Sequence, residues 1–256
     1  MLQIERFSKT FNGNPAVNDV SFSIDVGSLV GLVGPSGAGK SVLLKLIGGV
    51  MQADYGTVRF GSLPIGASPE IGFLFQEGAL FDSMTVLENV TFPLMRGFYG
   101  HDAKRTRDAS EYDEAVERAY QKLCEVGLGE AYKKYPGQLS GGMRRRVALA
   151  RAVVHKPHMV LLDDPTAGLD PVAASVIMNM IKRLHQEYRP TVIMVSQDIR
   201  RLLPNVDQVI ALFDGRLEGS FSPRELEARA NDRVLQFLKT RFDFSVFNGQ
   251  GTPELH

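Results

Sequence analysis

The pattern of hydrophobic and polar positions in the N-terminal part of the chain predicts several short strands and one helix. Val20, Phe22 and Ile24 alternate with polar residues, which is typical of a strand with one buried face. An apolar run then leads straight into a glycine-rich turn, and the residues after that turn, 42–50, have the spacing of a helix. The other predicted strands are residues 2–7, 28–33, 57–60 and 71–75.

The pattern changes in the middle of the chain, where charged residues become frequent. Ala115, Ala119 and Leu123 recur at helical spacing within residues 108–126, so we predict a helical subdomain inserted at about residues 85–150. Beyond it strands and helices alternate, which indicates an α/β core with a largely parallel sheet. The elements predicted there are helix 148–154, strand 159–162, helix 172–188, strand 191–195 and a hairpin of 208–213 with 216–221.

Composition and charge narrow the classes of protein. A chain of 256 residues with 44% hydrophobic residues is long enough for one large domain, with or without an appendage. Lysine and arginine number 29, as do the acidic residues, so the net charge is zero and we expect no nucleic-acid partner. Two basic clusters are interpreted as solvated faces or internal pairs: Lys104, Arg105 and Arg107, and Arg144, Arg145 and Arg146.

Cysteine usage and the length of the apolar runs bear on location. The single cysteine, Cys124, excludes an intrachain disulfide and fits a reducing compartment. The N-terminus does not have the pattern of a secretory signal, and the apolar runs are shorter than the roughly 18 residues that a membrane span needs. We therefore expect that the chain does not cross a membrane by itself.

A phosphate-binding motif follows the strand predicted at 28–33. Glycines let successive backbone N–H groups converge on a polyphosphate, and the N-terminus of the helix behind them adds its positive dipole end. Lys40 supplies a cation for the β- and γ-phosphates, and the Ser41 hydroxyl is a ligand for Mg²⁺. The motif consists of Gly34, Pro35, Ser36, Gly37, Ala38, Gly39, Lys40 and Ser41.

An acidic residue ends the apolar strand predicted at 159–162. A buried strand that ends in a carboxylate is the second magnesium-binding element of P-loop proteins. We therefore predict that Asp163 is a Mg²⁺ ligand.

A second anion-binding helix tip is predicted about twenty residues before Asp163. Ser140 is a natural helix N-cap, and Gly141 and Gly142 leave the first backbone amides of the helix uncovered. Two phosphate sites on one chain make sense if each completes the nucleotide site of a neighbouring copy. The sequence therefore predicts a dimer with shared nucleotides.

Taken together, these motifs resemble the ATP-binding subunits of ABC transporters over about residues 1–220. The resemblance implies an α/β fold, a P-loop ABC cassette in residues 1–223 with a mainly parallel sheet, an antiparallel β subdomain and the inserted helical subdomain. It implies ATP and Mg²⁺ as cofactors, and Mg-dependent ATP hydrolysis coupled to transport. It also implies that Phe11 stacks on adenine, that Gln76 contacts Mg²⁺ and that Asp170 lies at the dimer seam.

The chain departs from this family at two positions that concern hydrolysis. Asp164 stands where the family has glutamate, and Gln197 stands where it has histidine. With Lys40 they are the candidate catalytic residues. Asp164 is one methylene short, and a misplacement near 1 Å costs about 100-fold in rate. Two explanations stay open: a slow ATPase that stays closed on ATP, or one half of a heterodimer, with this chain's own site degenerate.

Two segments resemble more narrowly the ATPases of Mce-type lipid transporters, such as the Mla phospholipid system: residues 76–86 and 231–238. This resemblance implies a bacterial inner-membrane complex with the chain on the cytoplasmic face. Its implied partners are transmembrane permease subunits, a second ATPase subunit, an Mce protein and an accessory cytoplasmic protein. A cytoplasmic helix of the permease is expected to contact the helical subdomain and residues 76–85. Other functions stay open, namely another ABC importer, for example for amino acids, a soluble ABC protein of DNA repair or translation, and a regulatory ATP clamp.

The last residues, 224–256, are interpreted as an extension. Their apolar residues form one helical stripe followed by phenylalanines: Leu226, Ala230, Val234, Leu235 and Leu238, then Phe242, Phe244 and Phe247. Such residues require burial, and two places are open. One is the core of the chain itself, and the other, which we favour, is a partner subunit.

Overall fold

The computed structural model describes residues 1–61, 63–64, 71–95 and 109–248. The chain divides into two compact units. Unit 1 combines Met1–Pro69 with Arg189–His256, and unit 2 comprises Glu70–Tyr188. Within the described ranges, the helices are all too short or too polar to span a membrane.

The secondary-structure elements follow each other in the order that the sequence predicts, with additions. The strands in the described residues are β1 (Leu2–Phe11), β2 (Asn14–Ile24), β3 (Leu29–Val33), β4 (Tyr55–Phe60), β5 (Leu63–Pro64), β6 (Ile71–Leu74), β7 (Met159–Asp163), β8 (Thr191–Val195), β9 (Gln208–Phe213) and β10 (Arg216–Phe221). The helices there are α1 (Lys40–Ile47), α2 (Val86–Thr91), α3 (Ala109–Glu125), α4 (Gly141–Val153), α5 (Pro171–Tyr188), α6 (Ile199–Leu202), α7 (Leu226–Arg229) and α8 (Asp232–Lys239). Short 3₁₀ turns lie at Phe92–Met95, Gly129–Ala131, Pro136–Gln138, Leu203–Asn205 and Phe244–Asn248.

Unit 1 contains an antiparallel sheet with the strand order β2-β1-β4-β5. The hairpin of β1 and β2 turns at Asn12 and Gly13, which have φ angles of 49° and 82°. An Asn-Gly pair is typical of a two-residue hairpin turn. Both strands are longer than predicted. The sequence pattern covers only part of each strand, because bulges near Arg6 and Asp19 interrupt the alternation of apolar and polar positions. The expected antiparallel part of the fold is confirmed.

The second sheet of unit 1 positions the phosphate-binding motif. β3 lies between β8 and β9 and runs parallel to both, while β10 pairs with β9 in the antiparallel sense. All residues of β3 and β8 are buried, which is why these strands have continuous apolar runs. The carboxyl end of a central parallel strand is where α/β proteins bind ligands. Here that end leads directly into the glycine-rich loop.

Unit 2 contains β6 and β7 as a parallel pair, together with helices α2 to α5. Helix α3 almost coincides with the predicted helix 108–126. Its residues Ala119 and Leu123 are completely buried in a core cluster that also contains Val86, Val90 and Val147. The inserted helical part of the fold is therefore confirmed, and its core comes from α2, α3 and α4.

The C-terminal extension packs within unit 1. Val234 and Leu238 of α8 are completely buried, and Phe242 and Phe244 are nearly so. The predicted single stripe is divided, because the chain leaves the helical conformation at Ala230. The apolar side of the extension is thus buried in the chain itself, which is the alternative that we did not favour. Docking of its exposed side on a partner stays a prediction.

Candidate functional site

The glycine-rich loop between β3 and α1 is shaped by close backbone contacts. A Cβ atom on Gly34 would lie 1.9 Å from the carbonyl oxygen of Leu212, and one on Gly39 would lie 2.1 Å from that of Ala16. Both glycines also have positive φ angles, 149° and 94°. A residue with a side chain does not fit at either position without moving the backbone. The sequence motif is therefore also a requirement of packing.

The same loop holds its lysine in place. Lys40 has only 8% of its surface exposed, and its amine donates hydrogen bonds to the carbonyl oxygens of Gly34 at 2.8 Å and Pro35 at 2.7 Å. Gly39 is the N-cap of α1 and makes no side-chain capping hydrogen bond. Around Gly37 the space is open to 4 Å. This arrangement fits a polyphosphate chain.

The loop after β8 carries one of the two unusual residues. The Gln197 side chain is exposed, whereas Ser196 before it is buried. The hydroxyl of Ser196 accepts a hydrogen bond of 3.1 Å from the backbone N–H of Asp198. Asp198 in turn caps α6 by accepting from the N–H of Arg201, and it also pairs with the Arg201 guanidinium. The backbone directly after Gln197 is therefore held in place by the hydrogen bonds of Asp198.

Phe11 lies at the end of the long hairpin of unit 1. Phe11 is 42% exposed, and the Lys9 amine lies 5.8 Å from its ring centroid. An exposed aromatic ring offers a flat face for stacking. Phe11 is therefore not a core residue, and its stacking on adenine stays a prediction.

The acidic residues of unit 2 are deeply buried. Asp163 is the last residue of β7, and Asp164 follows it with 4% of its surface exposed. Asp164 has a left-handed φ of 47°. Aspartate tolerates this conformation better than most residues because its short polar side chain can bond locally. A hydroxyl, a carboxylate and an amide oxygen are hard ligands that suit Mg²⁺, so Ser41, Asp163 and Gln76 fit the ion by chemistry.

The structure brings Asp170 close to Ser140 and to the two glycines that follow Ser140. These four residues line a cavity of about 400 Å³ in unit 2, together with Met143, Arg146 and Leu169. The hydroxyl of Ser140 accepts a hydrogen bond of 3.3 Å from Met143 N–H and so caps α4, as predicted. The carboxylate of Asp170 accepts from the N–H groups of Val172 and Ala173, at 2.9 Å each, at the start of α5. Two helix N-termini therefore border this cavity.

Gln76 lies in the loop that follows β6, and its side chain is exposed. Two arginines of α4 hold this loop. The guanidinium of Arg145 donates to the carbonyl oxygen of Phe75 at 3.2 Å. The guanidinium of Arg151 donates to Gly78 at 2.7 Å and Ala79 at 2.8 Å. Burial lowers the pKa of Arg151, and its bonds to two carbonyls compensate for the loss of water around the charge.

Sequence reasoning missed these two arginines. Arg145 was placed in a cluster of solvated or ion-paired residues, whereas it and its neighbours bond to backbone carbonyls. Arg144 donates to Leu139 at 3.0 Å, and Arg146 donates to Val126 at 2.9 Å. Arg151 did leave a signal, because a charge inside an apolar helical run indicates a buried group with partners. The other basic cluster, Lys104, Arg105 and Arg107, lies outside the described residues.

The comparison with known proteins settles the family. A family model described as ABC transporter matches residues 17–167, more than half of the chain. The chain belongs to the ABC transporter family, as one of its ATP-binding cassettes. The expected cofactors, ATP with Mg²⁺, are those of this family and are thereby confirmed.

Several curated relatives are similar over nearly the whole chain. The sulfate/thiosulfate import ATP-binding protein CysA of Halalkalibacterium halodurans is 35% identical over 252 residues, which cover 96% of this chain and 68% of that protein. The CysA protein of Synechococcus elongatus is 37% identical over 242 residues, with 93% and 67% covered. The chain thus spans about two thirds of the length of these relatives. Both are import proteins, so they do not support the narrower resemblance to Mce-type lipid transporters.

Solved structures of cassettes have the same fold. The dimeric structure of the ATP-binding cassette MJ0796 in a post-hydrolysis state, bound to ADP and Pi, has a TM-score of 0.76 and 30% identity, and the match covers 87% of this chain and 99% of that one. A nucleotide-free cassette of an ABC transporter has a TM-score of 0.78 and 26% identity, with 93% and 98% covered. The predicted fold class is confirmed.

Proposed function

We propose that this chain is the ATP-hydrolysing subunit of a membrane importer. The observation that carries the proposal is the loop between β3 and α1. Gly34 and Gly39 have no room for a side chain, the lysine is held by the loop's own carbonyls, and a helix begins behind the loop. This combination binds the phosphates of a nucleotide.

The proposed roles of the site residues follow from their chemistry. Lys40 and the loop amides hold the phosphates, and Phe11 stacks on adenine with its exposed ring. Ser41, Gln76 and Asp163 hold Mg²⁺. The ion neutralises charge on the phosphates during phosphoryl transfer. Asp164 orients the attacking water, and Gln197 donates a hydrogen bond to the γ-phosphate.

Hydrolysis is proposed to be slow. Asp164 has a shorter reach than glutamate, and Gln197 cannot become a cation as histidine can. Both explanations given above remain proposals: long residence of ATP in a homodimer, or a heterodimer with one degenerate site. The intact tip of Ser140, Gly141 and Gly142 is compatible with either, because it would complete the site of a partner.

The partners proposed are a second ATPase subunit and transmembrane permease subunits. The ATPase partner would face the cavity that contains Ser140 and Asp170. The permease would contact a second cavity in unit 2, of about 320 Å³, which is lined by parts of α2 and α3 with residues such as Met84, Leu87 and Tyr132. Apolar and aromatic lining with few charges suits an inserted helix of another chain. The chain would then lie on the cytoplasmic face of the inner membrane.

Two kinds of cargo are proposed, each with its own support. The names of the curated relatives support import of a small oxyanion such as sulfate. Residues 76–86 and 231–238 support a lipid, because they carry the narrower resemblance to Mce-type systems. A cassette fold alone does not determine the cargo, which is bound by other subunits.

The proposal is tested on the purified protein and on the native membrane. ATP binding at micromolar to millimolar concentration and release of phosphate test the ATPase. Co-purification from the native membrane identifies the companion chains: a permease with a sulfate-binding protein supports the oxyanion, and a permease with an Mce protein supports the lipid. The proposal is wrong if the chain neither binds ATP nor associates with a permease.

A further inference from the structure

Four arginines of helix α4 hold neighbouring loops of unit 2. Each of them donates hydrogen bonds to backbone carbonyls rather than to acidic side chains: Arg144 to Leu139, Arg145 to Phe75 and Ala167, Arg146 to Val126 and Gly127, and Arg151 to Gly78 and Ala79. Arg144, Arg146 and Arg151 each reach a single loop. Arg145 reaches two loops that are far apart in sequence.

The two carbonyls that Arg145 contacts belong to the two loops most concerned with hydrolysis. Its Nη1 lies 3.2 Å from the Phe75 oxygen, directly before Gln76. Its Nη2 lies 3.4 Å from the Ala167 oxygen. The N–H of Ala167 in turn donates to the carbonyl of Asp164 at 3.2 Å, which closes a turn. One side chain thus connects the loop of Gln76 with the turn that begins at Asp164.

The charge of Arg145 suits this position. Burial lowers the pKa of its guanidinium, but the negative charges of Asp164, Glu77 and Asp163 oppose that shift. A guanidinium keeps its proton in proteins, so the group is a cation. A planar guanidinium has several N–H donors in a fixed geometry and can bridge two acceptors, which the single ammonium of lysine does less well.

We propose that Arg145 is a positioning residue that keeps the loop of Gln76 and the turn of Asp164 in register with each other. A displacement of the Gln76 loop is then transmitted to the Asp164 backbone through one side chain. This inference rests on the proposed function for its consequence in catalysis, and on the contacts of unit 2 alone for the mechanical connection.

The mechanical connection is tested by hydrogen exchange on the chain of 256 residues. Arg145→Met removes the donors and keeps an unbranched side chain. We expect amide exchange to become about 10-fold faster in residues 75–79 and in residues 164–168 together, since both lose the same anchor. The control is Arg144→Met, which removes the exposed neighbour and should leave both segments unchanged. Arg145→Lys should give intermediate exchange.

The consequence for catalysis is tested by separating turnover from binding. Arg145→Met is expected to lower kcat about 10- to 100-fold, because Asp164 loses its position, with the affinity for a fluorescent ATP analogue unchanged within about twofold. Arg145→Lys should recover part of kcat, whereas Arg144→Met should retain all of it.

The inference is overturned if exchange rises in one of the two segments alone or in neither. It is also overturned if Arg145→Met and Arg145→Lys lose kcat, ATP affinity and melting temperature in parallel, because that result indicates a general structural role. If the unmodified chain itself neither binds nor hydrolyses ATP, the proposed function fails, while the exchange experiment still decides the role of Arg145.

Discussion

The close approach of Gly39 to Ala16 makes a quantitative prediction about the phosphate-binding loop. In Gly39→Ala, the new Cβ atom would lie 2.1 Å from the Ala16 carbonyl oxygen, whereas real Cβ atoms essentially never come within 3.0 Å of such an atom. The backbone must therefore move by about 1 Å. A left-handed alanine costs about 1–2 kcal/mol, and overpacking adds about 1–3 kcal/mol. We expect the free energy of unfolding to fall by about 3 kcal/mol.

The matched control is Gly37→Ala in the same loop. Gly37 also has a positive φ, 79°, but a Cβ atom there would have open space to 4 Å. The free energy of unfolding of Gly37→Ala should therefore fall only by the cost of the left-handed backbone, about 1–2 kcal/mol.

Urea unfolding measures the stability of both variants. Circular dichroism is the signal, because the chain has no tryptophan whose fluorescence could report unfolding. Binding of a fluorescent ATP analogue should weaken far more in Gly39→Ala. Equal losses of stability in the two variants would refute the reasoning.

Four further predictions concern the lysine, the acid, a buried arginine and the C-terminal extension. Lys40→Ala should weaken ATP binding about 100-fold in a titration with a fluorescent analogue, because a charge-assisted contact is lost; unchanged affinity would contradict its role. Asp164→Glu should raise kcat about 10- to 100-fold if the shorter side chain limits hydrolysis, and an unchanged phosphate-release rate would exclude that cause. Arg151→Met should lower the free energy of unfolding by about 3 kcal/mol, because the buried bond to Gly78 and the partly buried bond to Ala79 lose their charged donor, whereas Arg144→Met, at an exposed arginine with one carbonyl partner, should cost about 1 kcal/mol or less. Leu238→Ala should cost about 3 kcal/mol in urea unfolding, against almost nothing for the exposed Val246→Ala, and similar values for both would contradict burial of the extension.

The sequence predicts most of the fold where local patterns are regular. Strands 191–195, 208–213 and 216–221 were found with the bounds that the structure has, because a turn residue stands next to each of them: Pro190, or the pair Asp214 and Gly215. The hairpin of β1 and β2 was predicted only in part. Its bulges shift the register, so the middle of the hairpin does not have the period of two by which strands are recognised.

The candidate site was likewise predictable only where the residues that act together are close in sequence. The phosphate-binding loop and the caps at Ser140 and Asp170 could be predicted, because the residues that act together are neighbours in sequence. The carbonyls of residues 75, 78 and 79 lie 70 to 73 residues away from Arg145 and Arg151, so no local spacing indicates these contacts. The surface that covers the apolar side of the extension could not be predicted for a related reason. A stripe of apolar residues shows that a surface is buried, but not which surface covers it.

The position of β3 has a consequence for synthesis on the ribosome. Both neighbours of β3 in its sheet, β8 and β9, come from the far end of the chain. A nascent polypeptide that has emerged only as far as the glycine-rich loop therefore carries an entirely apolar segment without either of its pairing partners. Such pairing between distant segments is slow and leaves strand edges uncovered in the meantime. Nascent chains interrupted before residue 213 should consequently depend on chaperones, and only longer ones should be able to bind nucleotide.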